Sequence, residues 1–312
     1  MKHILNPVIT GPTATGKSSL GIMLAQKIDG EIVSADSMQV YKHMDIGTAK
    51  PTSKEMYGVP HHMLDFVPPQ ENYSVAQYVK EASICIDDII KRGKQPIIVG
   101  GSGLYIDSLL AGRTFLSRGD NKLREQLENE FDNTGGDIML SKLRDVDPES
   151  AVKLHSNDKK RIVRALESYI TTGKTISQHD IESKAIPPRY DAVKIALSFS
   201  DRADLYANID RRVDEMISDG LVDEVRSLMK MGVPRKSTSM QAIGYKEISA
   251  AIDSGSDISE AVEKIKMESR RYAKRQLTWL RRDNEIKWII WENTPDLEGA
   301  VQRILELINE KK

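Results

Sequence analysis

The sequence is poor in cysteine and in long apolar runs, and each shortage excludes a class of protein. Cys85 is the only cysteine among 312 residues, so a disulfide within the chain and a cysteine-rich zinc site are both excluded. No stretch approaches the roughly 20 apolar residues that cross a bilayer, and the N-terminal apolar run is too short for a signal peptide. Because a near absence of cysteine fits a reducing compartment, we expect a cytoplasmic protein with no membrane segment.

An excess of charge of one sign is also missing. The chain has 45 Lys and Arg residues against 46 Asp and Glu residues, a formal net charge of −1, so no global field draws it to nucleic acid. Any nucleic-acid surface must therefore be a local patch. Hydrophobic residues at 39% and charged residues at 29% are the balance of a globular protein, and the length allows one large domain or two.

Strand and helix patterns alternate over the first hundred residues, and this alternation predicts a parallel sheet covered by helices. The predicted elements are a strand ending at Thr10, a helix over 17–28, a strand over 31–35, a helix opened by a capping box at 74–77 and ending near Gly93, and a strand over 96–99.

From about residue 116 the pattern changes to charged helices without a convincing strand, over 121–131, 137–144, 148–154 and 158–172. Pro187 and Pro188 mark a boundary, after which 193–199 is again strand-like. We predict an all-helical insertion domain at 116–190 within an α/β core formed by 1–115 and 191–312. The C-terminal part of that core is predicted to be helical, with a long helix at about 259–283 and a last strand at 287–291.

One motif carries specific chemistry. Residues 11–18, GPTATGKS, match G-x-x-x-x-G-K-[ST] at every fixed position, after a predicted strand and at the start of a predicted helix. Loop N–H groups and the helix N-terminus attract anions, Lys17 adds a full charge, and Ser18 offers a hydroxyl to Mg²⁺. This pattern of nucleotide-binding and ATP-binding proteins predicts a P-loop NTPase-like fold. The candidate ligands of the diphosphate or triphosphate are Gly11, Pro12, Thr13, Ala14, Thr15, Gly16, Lys17 and Ser18.

Two further glycine-containing sequences narrow the range of reactions that the chain could catalyse. A second G-K-T at Gly173 lacks the first glycine of the motif and ends a predicted helix, so we predict a helix stop. Hydrolytic P-loop enzymes usually hold Mg²⁺ with an aspartate after an apolar strand, whereas the 96–99 strand is followed by Gly100 and Gly101. Routine ATP hydrolysis is therefore disfavoured, and a substrate is expected to approach the backbone closely.

Asp36 follows the second predicted strand. The C-terminal ends of parallel strands share the edge at which ligands bind, so Asp36 is placed to take a proton from a nucleophile. A helix N-cap is an equally good interpretation of this residue alone.

Several motifs in order resemble the tRNA dimethylallyltransferase family. They are GPTATGKS at 11–18, SADSMQVYKHMDIGTAKP at 34–51, VPHHMLD at 59–65, IIVGGSGLYIDSLL at 97–110, DKKRIVRALE at 158–167 and SMQAIGYKE at 239–247. The resemblance implies transfer of the dimethylallyl group of dimethylallyl diphosphate to N6 of the adenine immediately 3′ of the anticodon, with release of diphosphate. The chain lacks the C-terminal zinc finger of many eukaryotic members, which indicates a bacterial-type enzyme.

The resemblance also implies roles for residues. Asp36 is similar to the family's base on the adenine amino group, Thr13 and Lys17 match residues that contact the diphosphate, and Ser18 matches the residue that helps hold Mg²⁺. Ser102 stands near the diphosphate and the nucleotide, where the family more often has threonine. The residues that correspond to readers of the target adenine are Asp36, Ser37, Met38 and Gln39.

Two basic clusters are candidates for RNA contact. Lys264, Arg271, Arg275 and Arg282 form a stripe on the long helix. Alone it is better explained as a solvated face, but beside a tRNA substrate phosphate contact is the better interpretation. The resemblance places the 159–164 cluster and residues 240–245 against the anticodon stem-loop. The implied tRNA-binding residues outside the Asp36 segment are Lys160, Arg161, Arg164, Gln241, Gly244, Arg271 and Arg275.

Two groups of residues are assigned to structure. His61 and His62 show no metal-ligand spacing with other potential ligands, and Trp279, Trp288 and Trp291 are predicted to be core residues. Three alternatives stay open: a P-loop small-molecule kinase, an isopentenyltransferase acting on free adenine nucleotides, and an RNA-binding protein with a vestigial loop. The expected partners are tRNA and dimethylallyl diphosphate, with no membrane, and the expected state is a monomer.

Overall fold

The computed structural model describes residues 5–115 and 121–311. Packing divides the chain into two compact units, one formed by Met1–Leu110 with Arg189–Lys312 and the other by Ala111–Pro188. The predicted start of the insertion at residue 116 lies outside the described residues. No helix in the described ranges is long and apolar enough to cross a membrane.

The larger unit is built on a parallel sheet of six strands, counted over the described residues. The strands are β1 (Asn6–Thr10), β2 (Gly30–Ser34), β3 (His61–His62), β4 (Gln95–Val99), β5 (Ala192–Phe199) and β6 (Lys287–Trp291). Their order is β3-β2-β4-β1-β5-β6 and every pairing is parallel. The predicted parallel sheet is confirmed. The edge strand β3 was missed because two residues carry no periodic pattern.

Helices cover the sheet and form the whole of the described regular structure in the smaller unit. In chain order they are α1 (Lys17–Ile28), α2 (Val75–Lys91), α3 (Gly103–Ala111), α4 (Asn121–Thr134), α5 (Gly136–Val146), α6 (Pro148–Val152), α7 (Lys159–Thr172), α8 (Ile176–Lys184), α9 (Arg202–Ser218), α10 (Leu221–Lys230), α11 (Tyr245–Ser254), α12 (Ile258–Leu280) and α13 (Leu297–Glu310), with a 3₁₀ turn at Ser239–Gln241.

The central strands read as continuous apolar runs because both faces of a covered parallel sheet are buried. All five residues of β1 are buried, and Ile9 packs with Leu20 and Leu24 of α1. At the start of α2, Ser74 Oγ accepts from Gln77 N while the Gln77 side chain accepts from Ser74 N, which confirms the predicted capping box.

Helices α4 to α8 of the smaller unit enclose a core that includes Leu127, Met139, Leu143 and Ile162. Gly173 ends α7 in the left-handed region at φ 69°, which confirms the predicted helix stop. Helix α8 was missed, although Thr175 opens it with a capping box.

The three tryptophans differ from one another. Trp291 is buried in the main core and Trp288 packs partly buried against a smaller cluster. The prediction was wrong for Trp279, which is 38% exposed. Its indole N–H donates to Asp107 Oδ2 at 2.8 Å, so this ring stands at the surface of α12.

Candidate active site

The loop of residues 11–18, called the phosphate loop below, joins β1 to α1 and is held by its own contacts. Gly11 has φ 139° and Gly16 has φ 84°, conformations that favour glycine. A Cβ on Gly11 would lie 2.6 Å from the Leu197 carbonyl oxygen. The Thr15 hydroxyl donates to Pro12 O at 2.9 Å, and the indole N–H of Trp291 donates to Thr15 O at 3.0 Å. The backbone N–H groups of the loop therefore stand at the start of a helix in a rigid turn.

Lys17 brings its charge back over this loop. Its Nζ donates to Pro12 O at 2.5 Å. Burial and the positive charge of Arg212 lower the pKa of Lys17 to about 7, and the charge of Asp36 opposes that change. Burial also lowers the pKa of Arg212, again against the charge of Asp36. Lys17 and Arg212 carry like charges that are shielded from solvent, so binding a polyanion beside them would be favourable.

Arg212 was missed by the sequence analysis. It comes from α9, about 200 residues after the loop, and no motif surrounds it. Its neighbour Arg211 is an ordinary surface residue that pairs with Glu215 at 3.6 Å. Only the packing of α9 distinguishes the two arginines.

Asp36 lies two residues beyond the end of β2 and is fixed by its own turn. Its Oδ1 accepts Met38 N at 2.8 Å and Gln39 N at 3.4 Å. The helix N-cap interpretation is wrong, since in the described chain no helix begins between Asp36 and Val75. The negative charge of Asp36 acts on Lys17 and Arg212, so the structure brings the predicted base and the phosphate loop together.

Ser102 connects the glycine sequence after β4 to the Asp36 turn. Its backbone N–H donates to Ala35 O at 3.1 Å, and its Oγ accepts Ser37 N at 3.0 Å. A Cβ on Gly100 would overlap the Ala35 carbonyl. The backbone of 100–102 therefore lies directly against the segment that carries Asp36.

Helix α12 supplies two more site residues that the sequence analysis missed. The side chain of Gln276 accepts Thr13 N at 3.1 Å and donates to Gly101 O at 2.9 Å, so it ties the phosphate loop to the glycine sequence. Tyr272, one turn earlier, has its pKa raised to about 12 by burial and by the charge of Asp36, while a hydrogen bond from Ser102 opposes the rise. Nothing in the local sequence marks either residue as part of the site.

Gln39, a predicted reader of adenine, is engaged within the chain. Its side-chain N–H groups donate to Thr48 O and Ala49 O, both at 3.1 Å, and its Oε1 accepts from Ser34 Oγ at 3.4 Å. Ser37 and Met38 are half-buried between Asp36 and Gln39. The Gln39 side chain therefore points into the protein and stabilises the turn that carries Asp36.

The predicted RNA residues near α11 and α12 have different surroundings. Gln241 is exposed and donates to Arg235 O at 2.7 Å. Gly244 is buried at the start of α11 with φ 96°. On α12, Arg271 is exposed beside Glu268 at 2.7 Å, and Arg275 is exposed with its guanidinium 5.6 Å from the centre of the Tyr272 ring. Three of the four therefore reach the surface.

In the smaller unit the predicted RNA residues lie on α7. Lys160 and Arg161 are exposed, and Arg161 lies 3.6 Å from Asp158. Arg164 binds Glu167 at 3.1 Å, and Arg124 binds the same carboxylate at 2.6 Å. Burial would raise the pKa of Glu167, but the two guanidinium groups hold it below its usual value.

The two histidines make contacts within the fold. His62 Nε2 lies 2.7 Å from Glu31 Oε2, and Arg92 pairs with the same buried carboxylate. Hydrogen bonding from Arg92 lowers the pKa of Glu31 to about 2. His61 Nδ1 lies 2.8 Å from Val59 O. In the parts of the chain that the structure describes, no group of three or more His, Cys, Asp or Glu residues is arranged to hold a metal ion.

Comparison with known proteins gives a consistent result. A family model described as IPP transferase matches residues 39–283. The chain is 48% identical over 303 residues to a tRNA dimethylallyltransferase of Caldanaerobacter subterraneus subsp. tengcongensis, covering 96% of each chain. It is 50% identical over 299 residues to a protein of the same name from Carboxydothermus hydrogenoformans, covering 96% of this chain and 95% of that one.

Two solved structures are similar over nearly the whole chain. The tRNA isopentenylpyrophosphate transferase of Bacillus halodurans has a TM-score of 0.73 at 38% identity, with 98% of this chain and 97% of that chain covered. A eukaryotic dimethylallyltransferase described as acting on tRNA has a TM-score of 0.83 at 31% identity, with 98% of this chain and 80% of that chain covered.

Proposed function

The chain belongs to the tRNA dimethylallyltransferase family and transfers a dimethylallyl group to tRNA, and from this premise we propose that dimethylallyl diphosphate is the donor and that N6 of the adenine immediately 3′ of the anticodon is the acceptor. One observation carries the proposal. The charges of Lys17, Arg212 and Asp36 act on one another at the edge of the sheet. A diphosphate would lie with the cations and an amine with the carboxylate.

The reaction forms a bond from N6 to the allylic carbon and breaks the bond from that carbon to the diphosphate oxygen, which keeps the electron pair. Lys17, Arg212 and the loop N–H groups would neutralise the charge that develops on the diphosphate. Each such donor typically contributes about 2.7–4 kcal/mol. The Thr13 hydroxyl is proposed as a further contact, because Gln276 holds the Thr13 backbone in place.

Asp36 is proposed to take the N6 proton. Its Oδ1 accepts the amides of its own turn, which leaves Oδ2 as the oxygen assigned to the incoming amine. Ser102 and Tyr272 are proposed to fix the wall of the site beside Asp36, since the Ser102 hydroxyl contacts both Ser37 N and the Tyr272 phenol.

The described residues fit a magnesium ion that is held mainly through the diphosphate. Ser18 is exposed in the first turn of α1, beside Lys17. Mg²⁺ usually keeps several waters and takes few protein ligands in addition to substrate phosphates. Bound there with Ser18 as its protein ligand, the ion would neutralise charge on the phosphate oxygens.

The tRNA is proposed to bind through its anticodon stem-loop. The exposed side chains of Lys160, Arg161, Gln241, Arg271 and Arg275 are the proposed surface contacts, with phosphates as the main targets of the basic ones. The remaining proposed tRNA residues are half-buried or buried and are assigned to shaping the adenine site and the RNA surface: Asp36, Ser37, Met38, Gln39, Arg164 and Gly244.

The test mixes purified protein, Mg²⁺, unmodified tRNA and labelled dimethylallyl diphosphate, and counts label in RNA. We expect label in tRNA, none in AMP or ADP offered instead, and no requirement for ATP. A tRNA with guanine in place of the adenine next to the anticodon should remain unlabelled. Label in AMP would favour the free-nucleotide enzyme, and ATP turnover would favour the kinase. We expect a monomer and, because mature tRNA works in the cytoplasm, a cytoplasmic enzyme.

A further inference from the structure

A carboxylate outside the site holds one loop by its backbone. Glu224 Oε2, on α10, accepts Asp45 N at 2.9 Å and Ile46 N at 2.8 Å, and Glu224 Oε1 accepts Gly47 N at 3.2 Å. Three successive N–H groups that converge on one anion form a nest. Such an arrangement fixes the course of the loop, because every donor is directed at the same two oxygens.

Helix α11 closes this arrangement from the other side. The Tyr245 hydroxyl donates to Glu224 Oε1 at 2.5 Å. Burial and the charge of Glu224 raise the pKa of Tyr245, so the phenol keeps its proton. A Cβ on Gly47 would lie 2.5 Å from the Tyr245 ring. The loop therefore fits between the carboxylate and the ring only with glycine at position 47.

The same loop supports the turn that carries the proposed base. The carbonyls of Thr48 and Ala49 accept the side chain of Gln39, both at 3.1 Å. Gln39 N in turn donates to Asp36 Oδ1 at 3.4 Å. Two steps of hydrogen bonding therefore connect the segment held by Glu224 to the carboxylate of Asp36.

The surrounding chain is held in uncommon conformations. His43 at φ 63° and Ala49 at φ 45° are non-glycine residues in the left-handed region. Such conformations persist where the surroundings over-determine them, and they concentrate at functional sites. Lys50 adds a second attachment, donating to Tyr41 O at 2.7 Å and pairing with Asp45 at 2.6 Å.

We propose that Glu224 is a positioning residue for the transfer step, which fixes residues 45–49 and, through Gln39, the direction of the Asp36 carboxylate. The proposal rests on the proposed role of Asp36 as the base. The proposed diphosphate contacts are residues 11–18 and Arg212, whereas the hydrogen bonds of Glu224 in the described chain go to residues 45–47 and Tyr245. The effect of Glu224 should therefore fall on the chemical step and not on donor binding.

The test is Glu224→Gln in the full-length protein, assayed for transfer into tRNA at varied dimethylallyl diphosphate. The amide keeps the size of the side chain. Its NH₂ group, however, would face N–H donors of the loop and cannot accept hydrogen bonds from them. We expect kcat to fall at least tenfold while KM for dimethylallyl diphosphate changes less than twofold. Glu224→Asp, which keeps the charge, should recover part of kcat. Tyr245→Phe removes one of the four bonds and should lower kcat about threefold, also at constant KM.

The matched control is Glu31→Gln, the same substitution at a buried carboxylate that binds Arg92 and His62 at the start of β2. It should lower the melting temperature and leave kcat within twofold. Wild-type kcat in folded Glu224→Gln, a parallel rise in KM for the donor, or an equal loss of kcat in Glu31→Gln would each overturn the proposal. If Glu224→Gln does not fold, unchanged kcat in Tyr245→Phe overturns it.

Asp36→Asn separates this proposal from the proposed function. Loss of transfer in Asp36→Asn together with wild-type kcat in Glu224→Gln removes only the positioning role. Full transfer by Asp36→Asn removes the base on which both proposals depend.

Discussion

Strand β2 has a carboxylate near each end, and the two are held in different ways. Glu31, its second residue, is buried and binds Arg92 and His62. Asp36, beyond its other end, accepts backbone N–H groups, and in the described structure no cation lies within ion-pair distance of it. A carboxylate whose two oxygens are both bound by side chains, as in Glu31, stabilises the fold and has no oxygen left for a substrate. One that is held by backbone keeps an oxygen available for chemistry.

The largest effect should come from removing the free carboxylate. Asp36→Asn keeps an oxygen for the Met38 and Gln39 amides but cannot accept the N6 proton. General bases typically contribute about 10²- to 10⁴-fold, so we expect a loss of kcat in that range with an unchanged melting temperature. Label transfer measures kcat, thermal unfolding measures the melting temperature, and filter binding should show that tRNA is still bound. An Asp36→Asn variant that retains more than a tenth of wild-type kcat would contradict the proposed difference between Asp36 and Glu31.

Glu31→Gln should have the opposite profile, with stability lost and activity kept. Removing one partner of a buried pair costs about 3–5 kcal/mol, and we expect about 2 kcal/mol here because Arg92 is partly exposed. The folded pKa of Glu31 is about 2, below the usual 4.5. Its contribution is therefore complete above pH 4.5 and is lost as pH falls towards 2.

Urea unfolding at pH 7, 4 and 2.5 measures this difference. The gap in unfolding free energy between wild type and Glu31→Gln should be largest at pH 7 and should shrink at each lower pH. A gap that stays constant would show that the ion pairs of Glu31 are not its source.

Lys17 sharpens the comparison. Burial and the charge of Arg212 lower its pKa, whereas the charge of Asp36 raises it. With a pKa of about 7, Lys17 is charged below pH 7 and loses its proton above it. Binding of pyrophosphate favours the charged form, so affinity should fall by up to about tenfold per pH unit above 7, with proton uptake. Calorimetry in buffers of different ionisation enthalpy measures the protons. Lys17→Arg, whose side chain stays charged, should flatten this dependence.

The smallest effect is expected in the smaller unit. There too, one charged side chain is held by an ion pair and another is not. Arg164 is held by buried Glu167, whereas Lys160 is exposed without an ion pair in the described chain. Lys160→Ala should weaken tRNA binding about two- to threefold and reduce the salt slope by about 1. Lys184→Ala removes an exposed lysine that pairs with Asp180, and it should leave affinity and slope unchanged.

The parts of the molecule that could be predicted are those with local signals. The phosphate loop, the bounds of α1 and the capping box of α2 each depend on residues within a few positions of one another, and the structure contains them as predicted. Asp36 could be placed near the loop because parallel strands end at one edge. The burial of Trp279 could not be judged, since its surroundings are set by distant elements.

The missed site residues share one property. Arg212, Tyr272 and Gln276 reach the site only because α9 and α12 pack beside it, and nothing in their local sequence distinguishes them from surface residues. Glu224 is similar, since its nest lies 177–179 residues away along the chain. Predicting them requires the packing angles of helices, which local patterns do not contain.

The contact between Gly100 and Ala35 has a consequence for evolution. Hydrolytic P-loop enzymes usually have an acidic side chain after such a strand, and here any side chain at Gly100 would collide with the neighbouring backbone. A single substitution at this position therefore cannot turn the protein into a phosphohydrolase. The position of the neighbouring backbone is therefore enough to exclude an acidic residue after this strand.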